Sequence, residues 1–198
     1  NDVADLKSFI EQALIQKADP YANQSLGKNK TLGLVFLNPS LRTRLSSQKA
    51  AMNLGMNVMV MNLDKEGWAL ETEDGVVMNG TTVEHIREAA AVMGQYCDIL
   101  GFRSFPKLLN REEDYGEGLF NKFVKYSGVP VISLESATLH PLQSFADLIT
   151  IEEYKKVAKP KVVLTWAPHV KSLPQAVPNS FSEWMCRAQA EGMIDFVI

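Results

Sequence analysis

One strand-to-helix turn constrains the fold of this 198-residue chain more than any other stretch. The apolar run Leu32–Leu37 is too short for a buried helix and is stopped by Asn38 and Pro39, so it predicts a core strand of a mostly parallel sheet. The next segment predicts a helix that ends at Gly55. Apolar residues at helical spacing predict the buried face of this helix: Leu41, Leu45 and Met52.

The first turn of this predicted helix has the features of a phosphate site. It holds the hydroxyls of Ser40 and Thr43 and the guanidinium groups of Arg42 and Arg44, together with backbone N–H groups that have no helical partner. Cations in a first turn oppose the helix dipole unless an anion is bound. We therefore predict an anion site; the alternative is that Ser40 is only an N-cap and both arginines are solvated.

Charge and composition exclude several other classes of partner. The formal net charge of -3 gives no general attraction for nucleic acid or for an anionic membrane. We see no apolar run long enough to cross a membrane and no signal peptide, so we expect a cytoplasmic protein without nucleic-acid or membrane partners. Cys97 and Cys186 lack the spacing of metal ligands, and we expect no metal and no cofactor.

The rest of the chain alternates predicted strands and helices. Before the long helix predicted over 142–157, we predict three more helices: one in 3–14, one that starts at a capping box of Thr81 and Glu84, and one over 110–127. We predict further strands at 56–63, 97–102 and 129–134. After that helix the pattern restarts, with a strand at 162–166, a helix at 180–189 and a strand at 194–198. This order predicts an α/β fold.

We predict two Rossmann-like parallel-sheet domains joined by a bridging helix. The first domain covers residues 1–141, the bridging helix covers 142–157, and residues 158–198 begin a second domain. Fewer than fifty residues are too few for a covered parallel sheet of ordinary size, so we expect the second domain to be incomplete in this chain.

Polar residues follow the later strands at the edge where ligands bind in such sheets. Arg103 follows one strand, Glu135 follows the next, and His140 and Gln143 lie at the start of the helix after that. A second cation at this edge favours an anionic substrate. We expect His140 to have a lowered pKa and to donate a hydrogen bond as a neutral imidazole; the alternative is a plain capping role.

Two short motifs resemble the signatures of a known family. The run from Ser40 to Arg44 resembles the carbamoyl-phosphate signature of the aspartate and ornithine carbamoyltransferases, and the run from His140 to Gln143 resembles their second signature. The resemblance extends over the whole chain and is greatest to the branch that acts on N-acylated ornithine. The supporting stretches for that branch are 36–55, 67–71, 103–105, 145–155 and 165–169.

The resemblance implies roles for individual residues. Carbamoyl phosphate would be held by residues of the two signatures with Arg103, and by Trp68 reaching over from a neighbouring subunit of a homotrimer with shared active sites. The residues matched to this ligand are Ser40, Leu41, Arg42, Thr43, Trp68, Arg103, His140 and Gln143. Five of them would be catalytic: Arg42, Thr43, Arg103, His140 and Gln143. Glu135 and His169 would contact the acylated amino acid.

Val83 bears on the acyl group of the substrate. It lies fifteen residues after Trp68. At this position the resemblance places a glutamate in the acetylornithine branch and an apolar residue, proline, in the succinylornithine branch. A glutamate would repel the extra carboxylate of a succinyl group, and valine would not. Alternatively, Val83 is only an apolar residue near a helix start. The matched position favours a carbamoyltransferase of arginine biosynthesis that carbamoylates N-succinylornithine.

Two alternatives stay open at this point. One is an N-acetylornithine carbamoyltransferase. The other is a phosphate-binding module without turnover, since the family's later signature, His-Cys-Leu-Pro, and the lysine and arginine that follow it do not occur before Ile198. The matches at Glu135 and His169 favour an enzyme, because a bare phosphate binder would not need them.

Overall fold

The computed structural model describes residues 3–63 and 69–198. The helices are α1 (Leu6–Ala18), α2 (Leu41–Asn53), α3 (Ile86–Tyr96), α4 (Arg111–Tyr115), α5 (Gly118–Ser127), α6 (Pro141–Tyr154) and α7 (Ala176–Ala190), with a short 3₁₀ turn at Gln24–Gly27. The strands are β1 (Thr31–Phe36), β2 (Asn57–Asn62), β3 (Leu70–Glu71), β4 (Glu84–His85), β5 (Ile99–Arg103), β6 (Val131–Glu135), β7 (Lys161–Val163) and β8 (Asp195–Val197).

Four strands form the main sheet, in the order β2-β1-β5-β6. All three pairs in this sheet are parallel; Val35 of β1 lies opposite Met61 on one side and Phe102 on the other. The carboxyl ends of these strands therefore meet at one edge of the sheet. The predicted α/β class with a parallel sheet is confirmed.

Apolar side chains cover both faces of this sheet. On one face the core is formed with α3 and α5 by Val35, Ile86, Ala90, Cys97, Leu100, Phe102 and Phe123. On the other face it is formed with α2 by Leu32, Leu34, Phe36, Ala51 and Leu134. Strands buried on both faces read as continuous apolar runs, which is why β1 could be recognised in the sequence.

A third core lies away from the main sheet, where α1 and α6 pack against α7. Its buried residues are Leu6, Ile10, Leu148, Trp184, Met185, Ala188 and Ile194. Strands β7 and β8, which precede and follow α7 in the chain, pair in parallel. They form the strand-helix-strand unit that the sequence predicts after the long helix. The domain boundaries at residues 141/142 and 157/158 stay a prediction.

The predicted buried face of α2 is wrong. Leu41, Leu45 and Met52 are all more than half exposed. The inward face instead carries Thr43, Ser47 and Ala51, which recur every four residues. Because these side chains are small, α2 can approach the sheet closely, and its larger apolar residues point away from this chain's core.

The predicted capping box of Thr81 and Glu84 is also wrong. Helix α3 begins at Ile86, and the N-cap is His85, whose ring Nδ1 accepts a hydrogen bond from the Arg87 amide at 3.1 Å. Glu84 belongs instead to β4, which pairs with β3. The pairing extends the backbone before the helix and moves the helix start to a later residue.

The single helix predicted over 110–127 is two helices. Asn110 caps α4, and the chain then bends at Glu117, which has a φ of 50° and a ψ of 32° in the left-handed region. A left-handed residue cannot continue a right-handed helix, so α5 starts anew at Gly118. The core residue Phe123 is nevertheless on the predicted inward face of α5.

Candidate active site

The turn after β1 presents the first part of the candidate site. Ser40 is the N-cap of α2, and its Oγ accepts a hydrogen bond from the Thr43 amide at 3.3 Å. Leu41 and Arg42 are exposed in the first turn, and the Arg42 guanidinium makes no hydrogen bond or ion pair with any residue that the structure describes. The amides of a first turn have no helical acceptors, so this helix end is positive and open to solvent.

Arg103 joins three strand ends. From the end of β5, its Nη2 lies 2.5 Å and its Nε 3.1 Å from Glu135 Oε2 at the end of β6. Its Nη1 donates to the carbonyl oxygens of Asn38 at 3.1 Å and Pro39 at 2.8 Å. Both charged side chains are buried. A guanidinium has five N–H groups, and these bonds use four of them, so one N–H of Nη2 is left for a ligand.

His140 lies directly before α6 and close to the same carboxylate. Its Nε2 is 3.6 Å from Glu135 Oε2, and its buried Nδ1 has no hydrogen-bond partner within residues 3–63 and 69–198. Burial lowers the pKa of His140 below its ordinary value of 6.5; Glu135 opposes this shift, and Arg103 adds to it. The lowered pKa keeps this imidazole neutral near pH 7, as the sequence predicted.

Gln143 lies in the first turn of α6 and is exposed. Its Nε2 donates to Asp147 Oδ1, one helical turn later, at 3.0 Å. Because a carboxylate only accepts, this bond fixes the orientation of the amide and leaves Oε1 as a free acceptor. A carbonyl oxygen held in this way can accept from a ligand amide.

Two predicted site residues that the structure describes, His169 and Val83, are not brought into this group. His169 is exposed, and among residues 3–63 and 69–198 its ring bonds to the backbone of Lys171 alone. Val83 lies just before β4 and is 64% exposed. Trp68 lies outside the described residues, so its predicted role at a neighbouring site stays a prediction.

Two residues that hold the site together were missed in the sequence. Asn38 was treated as a strand stop, but its Oδ1 accepts from the Phe105 amide at 2.7 Å, which fastens the turn to the segment after β5. Ser180 of α7 is buried, and its Oγ accepts from the His140 amide at 2.8 Å. The position of Asn38, before a proline at the end of a strand, was a signal that could have identified it. Nothing in the sequence indicated the role of Ser180.

The arrangement suits the binding and polarisation of a small anion. The open helix end and Arg42 provide positive charge, while Thr43, Arg103 and His140 are the available hydrogen-bond donors beside it. The described residues include no group of three or more His, Cys, Asp or Glu side chains placed to hold a metal ion. None of the described helices is both long enough and apolar enough to cross a membrane.

Known proteins share both the sequence and the fold. The chain is 59% identical over 193 residues to N-succinylornithine carbamoyltransferase from Bacteroides fragilis (strain 638R), covering 98% of this chain and 61% of that protein. It is 39% identical over 180 residues to N-acetylornithine carbamoyltransferase from Xanthomonas axonopodis pv. citri (strain 306), covering 89% of this chain and 52% of that protein. The chain thus spans between half and two thirds of these relatives.

A solved structure of acetylornithine transcarbamylase complexed with acetylcitrulline superposes with a TM-score of 0.84 at 33% identity, covering 98% of this chain and 66% of that one. The family model described as aspartate/ornithine carbamoyltransferase, carbamoyl-P binding domain, matches residues 2–153. That match includes every strand of the main sheet and both signature turns. The chain therefore belongs to the aspartate/ornithine carbamoyltransferase family.

Proposed function

We propose that the full-length protein transfers the carbamoyl group of carbamoyl phosphate to the side-chain amine of N-succinylornithine. The products are N-succinylcitrulline and phosphate, and the reaction belongs to arginine biosynthesis. The observation that carries the proposal is the open, cationic start of α2 beside the buried Arg103, Glu135 and His140. Relatives named N-succinylornithine carbamoyltransferase, at 59% and 61% identity, support the choice of substrate.

The phosphate group binds at the start of α2. Ser40, Leu41, Arg42 and Thr43 contribute the N-cap hydroxyl, backbone amides and one free guanidinium, all at the positive end of the helix dipole. These groups also stabilise the negative charge that phosphate gains as it leaves. Charge-assisted hydrogen bonds of this kind contribute about 1.5 to 3 kcal/mol each.

The carbonyl group of carbamoyl phosphate lies next to Arg103 and His140. The neutral amine nitrogen attacks the carbonyl carbon, the bond from that carbon to the phosphate oxygen breaks, and the proton that the nitrogen loses passes to the departing phosphate. Negative charge develops on the carbonyl oxygen, which Thr43, the remaining Arg103 N–H and the neutral His140 stabilise. Donors aimed at such charge are typically worth about 3 to 4 kcal/mol each.

Gln143 and Glu135 orient the two reactants. Gln143 Oε1 accepts from the carbamoyl amide, because its Nε2 is already held by Asp147. Glu135 and His169 contact the acylated amino acid, although His169 here bonds only to its own loop. In this proposal residues 1–141 bind carbamoyl phosphate, 142–157 form the bridging helix, and 158–198 begin the acylornithine-binding domain.

Val83 determines the acyl preference. Its segment is anchored on both sides, since Thr82 Oγ1 donates to Glu71 at 3.3 Å and the His85 ring bonds to the Glu73 carbonyl at 3.0 Å. A glutamate-to-valine variant of N-acetyl-L-ornithine transcarbamylase has been solved complexed with carbamyl phosphate and N-succinyl-L-norvaline. We take that glutamate as the counterpart of Val83, which makes the valine here suited to a succinyl group.

The assembly in this proposal is a homotrimer with shared active sites, to which Trp68 contributes across the subunit boundary. The exposed apolar face of α2 supports contacts with another subunit, since Leu41, Leu45 and Met52 are not covered within the chain. Both cysteines are free thiols, which supports a cytoplasmic location.

The test is carbamoyl transfer by the full-length protein, measured with labelled carbamoyl phosphate and N-succinylornithine. We expect one phosphate released per labelled product. Arg42→Ala removes a charge-assisted contact to phosphate and should lower kcat/KM by about 10- to 100-fold. The matched control is Lys49→Ala, which removes an exposed cation later in the same helix that contacts Tyr21 Oη, and it should stay within about threefold of the unmodified protein.

Two outcomes distinguish the alternatives. A full-length protein that binds phosphate at Arg42 but transfers no carbamoyl group would be a binding module. A protein that transfers carbamoyl as fast with Arg42→Ala as without it would contradict the assignment of this helix start to carbamoyl phosphate.

A further inference from the structure

Glu117 has an unusual backbone conformation, and its carboxylate accepts several hydrogen bonds. It stands between α4 and α5 with a φ of 50°, one of three non-glycine residues with positive φ among those the structure describes. Such a conformation costs about 1 kcal/mol or more for a residue with a Cβ, so surrounding contacts must hold it. Its amide donates to the Asp114 carbonyl, and its own carbonyl accepts from the Asn121 amide at 2.9 Å.

The carboxylate of Glu117 binds the turn that follows β6. Its Oε1 accepts from Ser136 Oγ at 2.6 Å, from the Thr138 amide at 2.8 Å and from Thr138 Oγ1 at 2.6 Å. Its Oε2 accepts from the Ala137 amide at 3.3 Å. One side chain thus satisfies four donors within three consecutive residues, although it lies about twenty positions away in sequence.

Among the described residues, Glu117 makes the side-chain contacts that hold this turn from the side of α4 and α5, and the turn also has hydrogen bonds of its own. The Ser136 amide donates to the Leu139 carbonyl at 2.8 Å, and Ser136 Oγ accepts from the Leu139 amide at 3.1 Å and donates to its carbonyl at 3.3 Å. The sequence from Ser136 to Leu139 has neither glycine nor proline. On the other side it is held by α7, where Asn179 Nδ2 donates to the Thr138 carbonyl at 3.1 Å. Glu117 is therefore the contact that joins the turn to the helices covering the main sheet.

His140 depends on this turn for its position. Its imidazole makes no hydrogen bond within 3.5 Å to any described residue: Nδ1 is unpartnered, and Nε2 is 3.6 Å from Glu135. A ring without hydrogen-bonded side-chain partners is placed by its backbone. That backbone is held from two sides: the His140 amide donates to Ser180 Oγ on α7 at 2.8 Å, and the turn directly before it is bound by the Glu117 carboxylate. A displacement of about 1 Å in such a group can reduce turnover by about 100-fold.

We propose that Glu117 is a positioning residue for His140, acting through the turn Ser136–Leu139. The kinetic part of this inference rests on the proposed function, since it concerns the step in which His140 donates to the carbonyl oxygen. The structural part does not, because it concerns only which side chain holds the turn.

The experiment compares three variants of the full-length protein. Glu117→Gly removes the carboxylate but is the residue best suited to the left-handed backbone, so it does not add strain. Glu117→Gln keeps one side-chain oxygen, which can still accept from two of the three donors to Oε1, while its NH2 group loses the bond from the Ala137 amide. The control is Glu113→Gln on α4, an exposed carboxylate whose one hydrogen-bond partner among the described residues is the Asn110 side chain.

Two readouts are measured for each variant: hydrogen exchange of peptides that contain residues 136–140, followed by mass spectrometry, and the separate values of kcat and KM. For Glu117→Gly we expect exchange of these peptides to rise at least about tenfold and kcat to fall about 10- to 100-fold, with KM for carbamoyl phosphate changing less than kcat. Glu117→Gln should recover most of both effects, and Glu113→Gln should change neither.

Unchanged exchange at residues 136–140 in Glu117→Gly would overturn the inference, as would increased exchange with kcat unchanged. A fall in global stability alone, with both readouts unchanged below the unfolding transition, would also contradict it. If the unmodified protein transfers no carbamoyl group, the proposed function is wrong. Increased exchange at residues 136–140 in Glu117→Gly would in that case still show that the Glu117 side chain holds this turn.

Discussion

Arg103 and Glu135 form a buried ion pair between the ends of two neighbouring strands, with 2.5 Å from Nη2 to Oε2. The same guanidinium binds the carbonyl oxygens of Asn38 and Pro39 in the turn that starts α2. Arg103 therefore connects the turn before α2 to the segment that carries His140. In the proposed function it both stabilises the structure of the site and donates to the carbonyl oxygen of the substrate.

Breaking this ion pair should cost more stability than breaking a surface pair. Glu135→Ala leaves a buried guanidinium without its counter-charge, and we expect the free energy of unfolding to fall by about 3 to 5 kcal/mol. Glu135→Gln keeps an acceptor oxygen and should cost less. The control is Lys17→Ala, which removes an exposed pair with Glu153 and should cost less than about 1 kcal/mol.

Urea unfolding of the full-length protein and its variants checks this prediction. A loss of less than about 1 kcal/mol for Glu135→Ala would show that Arg103 does not depend on this carboxylate. Equal losses for Glu135→Ala and Lys17→Ala would lead to the same conclusion.

The lowered pKa of His140 predicts how stability depends on pH. Burial holds the pKa of His140 below 6.5 in the native state, so below about pH 6.5 the unfolded chain takes up a proton that the folded chain does not. His140 therefore favours folding fully above pH 6.5, and this contribution is lost progressively as pH falls below that value. His140→Gln does not titrate, so this part of the pH dependence should be absent from it.

Unfolding free energies of the unmodified protein and His140→Gln at several pH values from about 5 to 8 provide the test. We expect the unfolding free energy of the unmodified protein, relative to that of His140→Gln, to decrease as pH falls. If this difference instead increased as pH fell, the native state would bind the proton more tightly than the unfolded chain, and a neutral His140 would be excluded as the donor.

Local patterns in the sequence predicted the fold well, because strands buried on both faces and the turns after them leave strong signals. The apolar run of β1, the proline at the start of α6 and the restart after α6 all predicted the elements observed. The capping box at Thr81 failed because two nearby segments can each start a helix, and only the pairing of β3 with β4 selects His85 as the cap.

The contacts within the candidate site were harder to predict, because they join residues far apart in sequence. Arg103 and Glu135 were each placed at a strand end, but the sequence did not show that they bind each other. Glu117 lies between Gly116 and Gly118, which are local signals of a helix break that the single-helix prediction did not use, but the left-handed residue is the glutamate and not either glycine. The outward apolar face of α2 was misassigned because helical spacing does not show which face of a helix packs against the core.

Trp68 gives a test of the shared active site. Subunits with Trp68→Ala and subunits with Arg42→Ala should each be nearly inactive alone. If the site lies between subunits, mixed trimers contain some sites with both residues intact, about a quarter of them in a random equal mixture. We expect activity to return in proportion to that fraction after the subunits are unfolded and reassembled together. No recovery, with mixing proven by mass spectrometry, would confine Trp68 to its own subunit.

The most direct test of the account is the substrate preference of the full-length protein. We would measure kcat/KM for N-succinylornithine, N-acetylornithine and ornithine, with the unmodified protein and with Val83→Glu. We expect a preference for N-succinylornithine of about tenfold or more, and a similar loss for that substrate in Val83→Glu, because a glutamate repels the succinyl carboxylate. A preference of the unmodified protein for N-acetylornithine, or for ornithine, would contradict it.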